Sequence, residues 1–251
     1  QWVELFHQNP EMIKNHPVWY IKGNTYLFKL LFIYGSIKGI EESFEKFESV
    51  VKSNAFIHNE NSQSLIFLNY YNTKMNLYFI KGDFFNGTKM IPELEIKIEK
   101  HRDKIDEHHF LVLYLKIAAM FFGSKHYQNT VKYGQKIINS KGNVQEDLLF
   151  HTRILMLMAK FESGFDDDYD DFVKATMKFA KKMKNPGDLH FSIVNFFKKI
   201  NDKNPKDQAI LFREFEKELE ISSQNKYDKR TLMYIDIHGW VTSKVRNVDV
   251  H

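Results

Sequence analysis

The chain has 251 residues, with 36 Lys and Arg against 32 Asp and Glu, a formal charge of +4, 11 Gly, 5 Pro and no Cys. So little Gly and Pro excludes a turn-rich β-sandwich or barrel and any collagen-like or disordered chain, while 43% hydrophobic and 27% charged residues suit a globular protein with a sizeable core. The lack of Cys excludes disulfides, thiol nucleophiles and Cys-based zinc or iron–sulfur sites.

Apolar residues then recur at steps of three and four along most of the chain, the spacing of one face of a helix. The pattern predicts helices over Val18–Tyr34, Ile40–Lys52, Ser62–Ile80, Phe84–Arg102, Glu107–Gly123 and Gln128–Ser140. It continues over Gln145–Phe161, Tyr169–Lys184, Asp188–Ile200, Lys206–Ile221 and Lys226–Val245. Breaks carry turn residues: Lys38-Gly39, Lys81-Gly82-Asp83, Gly123-Ser124-Lys125, Ser140-Lys141-Gly142-Asn143, Ser163-Gly164 and Asn185-Pro186-Gly187. No linker separates these segments, so a single domain over 1–251 is expected.

Of the 36 cationic residues only five are Arg (Arg102, Arg153, Arg213, Arg230, Arg246), and none precedes Arg102. Nucleic-acid readers rely on Arg for bidentate contacts, so no nucleic-acid partner is expected. The strongest apolar stretch, Phe110 to Phe122, is interrupted by Lys116 and falls short of the ~20 residues that span a bilayer, so no membrane partner is expected either. The chain opens on Gln1-Trp2-Val3 without Met and without a secretory signal, which reads as a fragment of a longer, cytoplasmic protein.

The turns repeat. Gly39 to Gly82 is 43 residues, Gly82 to Lys125 is 43, and Lys125 to Gly164 is 39. Such a period fits helical hairpins, which must stack on neighbours to bury their apolar stripes and so build a curved solenoid with a groove. Within one period, Tyr114, Ile117, Ala118, Phe121, Lys125, Tyr127 and Thr130 follow each other at the spacing of a large residue, an aliphatic, a small residue, an aromatic, a turn, an aromatic and another small residue. This resembles the tetratricopeptide repeat (TPR), and Tyr71, Tyr78, Gly82, Phe84 and Gly87 occupy the corresponding places one repeat earlier, with Lys74 and Met75 replacing the aliphatic and small pair. Small residues at Gly87, Ala118 and Thr130 would let paired helices approach closely.

A wider resemblance runs through Ile91-Pro92-Glu93-Leu94, Leu115-Lys116-Ile117-Ala118, Lys136-Ile137-Ile138-Asn139, Arg153-Ile154-Leu155, Lys229-Arg230, Tyr234-Ile235-Asp236-Ile237, Trp240 and Ser243-Lys244. From Asn69 to Val245 the chain is similar to the C-terminal half of long bacterial TPR-like proteins of unassigned activity. The resemblance implies an all-α, right-handed α-solenoid of stacked antiparallel helix pairs, about five pairs plus a C-terminal capping helix, and a truncated chain. It carries no catalytic residue. The spacing above departs from the usual repeat of about 34 residues, and Gly164-Phe165-Asp166-Asp167-Asp168 departs from the usual turn.

Enzyme signatures are scarce: phosphate-cradling glycine loops, the zincin helix and the nucleophile elbow all lack their motifs. Asp103, Asp106, Glu107, His108 and His109 make the best metal-like cluster, yet Asp106 reads as an N-cap with Glu107 and His108 in the first turn. Asp166, Asp167, Asp168, Asp170 and Asp171 lack the ligand order of an EF-hand, and capping of the following helix explains them better. Asn86-Gly87-Thr88 matches a glycosylation sequon at a helix-packing position. No cofactor and no metal ligand are expected. Phe28, Phe32, Phe44, Phe47, Phe161, Phe172, Phe179, Phe196 and Phe197 read as core, and Trp240, with Ile237 and Val241, as a cap over the last repeat.

In a TPR-like register set by Gly82, the concave stripe of the helix over Ser62–Ile80 holds Asn69, Asn72, Asn76 and Phe79. Asn side chains both donate and accept, so the row could clamp an extended peptide, with Lys116 from the next repeat as the nearest cation. Asn76 falls where peptide-binding TPR domains often carry a clamp Asn, whereas Asn72 stands where such clamps have Lys. Solvation of a helix face explains the Asn residues as well, and an ordinary exposed lysine explains Lys116. The expected function is a non-catalytic protein- or peptide-binding scaffold. The alternative is a structural or self-associating module that packs end-on near Gln1, against a missing N-terminal half or another copy. A metal-dependent enzyme and a nucleic-acid-binding repeat rank below these.

Overall fold

The computed structural model describes residues 1–53, 60–142, 144–164, 167–223 and 235–248. Fourteen helices and no strand occur among the described residues, and no described helix is long and apolar enough to cross a membrane. The chain divides into two compact units, Gln1–Leu113 and Tyr114–His251.

The first unit holds α1 (Trp2–Gln8), α2 (Pro10–Asn15), α3 (Pro17–Ile33), α4 (Ile37–Lys52), α5 (Glu60–Lys81), α6 (Phe84–Lys89) and α7 (Ile91–His101). Pro10 and Pro17 sit in the first turns of α2 and α3, where a missing N–H costs nothing and the fixed φ favours entry into a helix. The sequence reading assigns nothing before Val18, because two helices of 7 and 6 residues are too short to display a period. One helix is expected over Phe84–Arg102 and two are found. Pro92, inside the first turn of α7, has no N–H to return to the preceding turn, so the chain breaks at Met90.

In this unit α3 packs on α1, α4 and α5, and α5 packs on α4 and α7. The core between them is aromatic: Tyr20 stacks on Phe47 at 6.1 Å, and Phe28 meets Phe44 and Phe47 edge-on at 6.2 and 5.6 Å. Two tyrosines of α5 are tied to neighbouring helices, Tyr70 donating to Glu48 at 2.6 Å and Tyr71 to Glu93 at 2.8 Å. Burial raises both phenols above their ordinary range, so the bonds stay formed at neutral pH.

Helix α8 (Glu107–Gly123) starts in the first unit and ends in the second. Asp106 caps it, accepting from the His109 backbone N–H at 3.3 Å and from its ring at 2.6 Å. Burial opposes the charged Asp106 carboxylate, but these bonds prevail and hold its pKa below the usual range. The second unit continues through α9 (Tyr127–Ile138), α10 (Glu146–Glu162), α11 (Tyr169–Ala180), α12 (Asp188–Ile200), α13 (Pro205–Ser223) and α14 (Ile237–Arg246). Here α10 packs on α9 and α11, α12 on α11 and α13, and α14 on α13. The helix expected from Lys226 is described only from Ile237; its earlier part, with Lys229, Arg230 and Tyr234, lies outside the described residues, as do Asn143, Phe165 and Asp166.

The small residues do allow close approach. Thr130 is fully buried and its hydroxyl donates to Ala118 O at 3.2 Å, while a Cβ placed on Gly134 would stand 2.5 Å from Met156 Sδ. Trp240 ends the packing of this unit. It is fully buried against Phe161, Phe197 and Phe212 at 5.7, 5.8 and 5.4 Å, and its indole donates to Glu162 at 2.6 Å.

Five described helices end in a left-handed residue: Gly35, Gly82, Lys125, Gly164 and Asn247, at φ of 64°, 64°, 63°, 95° and 53°. At Gly82 the turn closes with Gly82 N–H to Phe79 O at 3.1 Å and Asp83 N–H to Tyr78 O at 3.0 Å. Gly35 and Lys125 repeat both bonds one residue type at a time, satisfying carbonyls that a helix end leaves open. The first of these turns is therefore at Gly35 and not, as expected, at Gly39, which lies inside α4. Gly39 is still needed small: a Cβ there would meet Ser36 Oγ at 2.7 Å and Leu31 at 3.0 Å.

Candidate functional site

Asn69, Asn72, Asn76 and Phe79 lie on α5, and all four are half-buried. Two of the three amides are turned onto their own helix: Asn69 Nδ2 donates to Leu65 O at 3.0 Å and Asn72 Nδ2 to Leu68 O at 2.9 Å. Asn69 Oδ1 also accepts from Thr25 on α3 at 2.5 Å, and Asn76 is engaged within the protein too. Phe79 packs edge-on against Phe84 at 6.1 Å. These side chains are thus partly committed to structure, which reduces what they can offer a peptide. Lys116 belongs to the second unit, where burial pushes its ammonium down to about 8 although part of the side chain still reaches solvent.

A recurring position links the helical hairpins. Asn24, Tyr71, Tyr114 and Arg153 each stand eleven residues before a left-handed turn residue. Tyr71 reaches α7 through Glu93, and Tyr114 lies over α9, 6.0 Å from the Tyr133 ring with Lys136 5.1 Å above it. Arg153 takes the same place toward α11, its guanidinium 4.9 Å from Phe179 and 5.9 Å from Phe172. Its buried Nε has no hydrogen-bond partner among the described residues, and burial lowers its pKa. Asp170 and Asp171 fall in the first turn of α11, near its positive end, whereas Asp168 at the N-cap makes no side-chain capping bond and instead accepts from Lys160 at 2.6 Å. Among the described residues no group of three or more His, Asp or Glu is arranged to hold a metal ion.

The feature that sequence reasoning missed is at the N-terminal helices. Trp2, Trp19 and Tyr26 are 41%, 57% and 59% exposed and lie together, Trp2 being 6.1 Å from Trp19 and 6.4 Å from Tyr26. Lys22 lies over Trp19 at 5.7 Å. Leu5, Leu30, Ile33 and Tyr34 extend the exposed apolar surface on α1, on α3 and just beyond α3. Phe32, expected in the core, is also exposed, at the end of α3 on the side of Phe28. The cause is that α3 carries apolar residues on more than one side: Tyr20, Ile21 and Phe28 face the core, while Trp19, Tyr26, Leu30 and Ile33 recur on the exposed side.

Beneath this rim a cleft of about 370 Å³ runs between α1, α3 and α4, with Trp2, Val3, Tyr26, Leu27 and Leu30 among its walls. Helix α1 can approach because residue 23 is Gly, where a Cβ would come 3.2 Å from Val3 and 3.5 Å from Trp2. Tyr20 is buried behind it, 3.1 Å from His7 Nε2, and burial pushes its phenol up to about 12. Asn24 lines the cleft at 1% exposure. Its Nδ2 donates to Tyr20 O at 2.9 Å, while its buried Oδ1 has no hydrogen-bond partner among the described residues. The sequence does carry a signal for this surface, since Trp19, Tyr26, Leu30 and Ile33 recur at helical steps and no Asp or Glu occurs from residue 17 to residue 33. Comparisons with protein-family models, curated proteins and solved structures return no match.

Proposed function

We propose that the chain is a non-catalytic, TPR-like α-solenoid that serves as a scaffold for binding protein segments. The observation that carries the reading is the exposed aromatic and aliphatic surface of α1 and α3 with its cleft, since contiguous apolar surface of this kind marks interaction sites. The recurring left-handed turns support the repeat architecture, and the α5 stripe of Asn69, Asn72, Asn76 and Phe79 is the second contact surface of the proposal.

Affinity capture from native lysate tests it, with three baits: the parent, a Trp19→Ser/Leu30→Ser variant, and an Asn69→Ala/Asn72→Ala/Asn76→Ala variant. The expected result is a protein retained by the parent and lost by the first variant, with partial loss for the second. A catch that is identical for all three folded baits sinks the reading. A second reading, self-association, is favoured by the same exposed apolar residues of α1 and α3. Light scattering across protein concentration then shows an oligomer that the Trp19→Ser/Leu30→Ser variant abolishes.

A further inference from the structure

We infer that the outer side of α3 seats an amphipathic helix of a partner protein, acidic along one edge, in the place that α3 itself takes on α5. The inference rests on the scaffold reading and names the partner's chemistry. Equivalent positions in two successive hairpins carry it. Trp19, Tyr26, Leu30 and Ile33 stand 16, 9, 5 and 2 residues before the left-handed Gly35, and Ile66, Thr73, Leu77 and Ile80 stand at the same distances before Gly82. On α5 these places are covered. Ile66, Thr73 and Leu77 are buried, and Ile66, Leu77 and Ile80 pack into the core that holds Ile21 and Phe28 of α3. Asn69, 13 residues before Gly82 as Lys22 is before Gly35, accepts from Thr25 of α3. The side of α5 that receives α3 thus corresponds to the side of α3 on which Trp19, Tyr26, Leu30 and Ile33 are all exposed. Helix α3 has α1 and α2 packed on it from the preceding part of the chain, as α5 has α3 and α4. No described helix of the unit takes the place on α3 that α3 takes on α5.

The spacing of the four exposed residues makes a ridge, which fits the groove of another helix, and burial of the apolar stripe drives such docking. By helical spacing Lys22 and Lys29 line one edge of the ridge, and no Asp or Glu occurs from residue 17 to residue 33. On α5 neutral Asn69 and Asn76 hold those two places. A helix on α3 therefore meets positive charge where α5 offers amides, and carboxylates on its facing edge are the complement. A second copy presenting the same side would instead set lysine against lysine.

Fluorescence anisotropy on the full chain tests this with a fluorescein-labelled peptide of about 18 residues, long enough to form a helix, whose Leu and Ala stripe is flanked on one edge by Glu. The controls are a scrambled peptide of the same composition and a copy with Lys for Glu. The Glu-edged helix binds, and each control binds at least about tenfold more weakly. Trp19→Ser/Tyr26→Ser abolishes binding, and Lys22→Glu/Lys29→Glu turns the preference toward the Lys-edged peptide. Lys203→Glu, at an exposed lysine of the other unit, changes neither. All these positions are exposed, so the variants keep the parent's circular dichroism. No binding at about millimolar peptide, equal binding of the scrambled peptide, or a preference that ignores Lys22 and Lys29 overturns the inference. So does an oligomer dissolved by Trp19→Ser, or sedimentation with phosphatidylcholine–phosphatidylglycerol vesicles without peptide binding. A lysate partner that requires Trp19 while the Glu-edged helix fails to bind leaves the scaffold reading standing and removes only this one.

Discussion

The chain's three tryptophans divide between two regions with opposite fates. Trp240, on the last described helix, is fully buried among Phe161, Phe197 and Phe212 and gives its indole N–H to Glu162. Trp2 and Trp19, on the first helices, lie 6.1 Å apart with their rings tilted at 49°, both partly exposed, with Tyr26 and Lys22 beside them. In the second unit α14 brings its apolar face onto α13 and covers the aromatics beneath. No described helix does this for the outer side of α3 within the first unit. One arrangement stabilises a fold, and the other leaves apolar surface that is available for a partner.

The largest test of that contrast is Trp240→Ala. Emptying a fully buried site and leaving Glu162 without its donor should cost about 3–5 kcal/mol, read by denaturant unfolding. A loss below about 1 kcal/mol would mean that the ring does not hold the second unit's end together.

Lys116 gives an intermediate effect with a pH signature. Its pKa falls from 10.5 to about 8 on folding because burial disfavours the charged form. Between those values the unfolded chain binds the proton and the folded chain does not, so stability rises with pH across the window, and the penalty is fully present below about 8. Lys116→Met should therefore stabilise by about 1–3 kcal/mol near neutral pH, and its advantage should shrink as pH rises through the window. An advantage that stays constant from neutral pH to 10.5 would show an ammonium that is solvated in the folded protein.

The smallest effect belongs to Trp19→Ser, which should change stability by no more than about 0.5 kcal/mol in urea unfolding because the ring is 57% exposed. A cost of several kcal/mol would put Trp19 in a packed interior and erase the comparison.

Helix identity was legible from local pattern. Glu107–Gly123 and Asp188–Ile200 are found at the limits that the period predicts, and Asp106 caps α8 as its position before Glu107 suggests. The turn at Gly82 was readable because a left-handed residue favours Gly, but Lys38-Gly39 offered an equally good signal and the chain turns at Gly35. The candidate site was less legible. Asn69, Asn72 and Asn76 do share a face, yet bonds to Leu65, Leu68 and Thr25, none of which the stripe reveals, engage two of them.

By itself the sequence determined that the chain is helical and where most helices run, because those depend on residues within a few positions of one another. Only the tertiary structure decided which apolar side chains are interior. Phe28 and Phe32 lie one helical turn apart on α3, and one is core while the other is surface. Burial requires a second helix to arrive from a distant part of the chain. For α3 helices pack on one side, and the other keeps Trp19, Tyr26 and its lysines exposed.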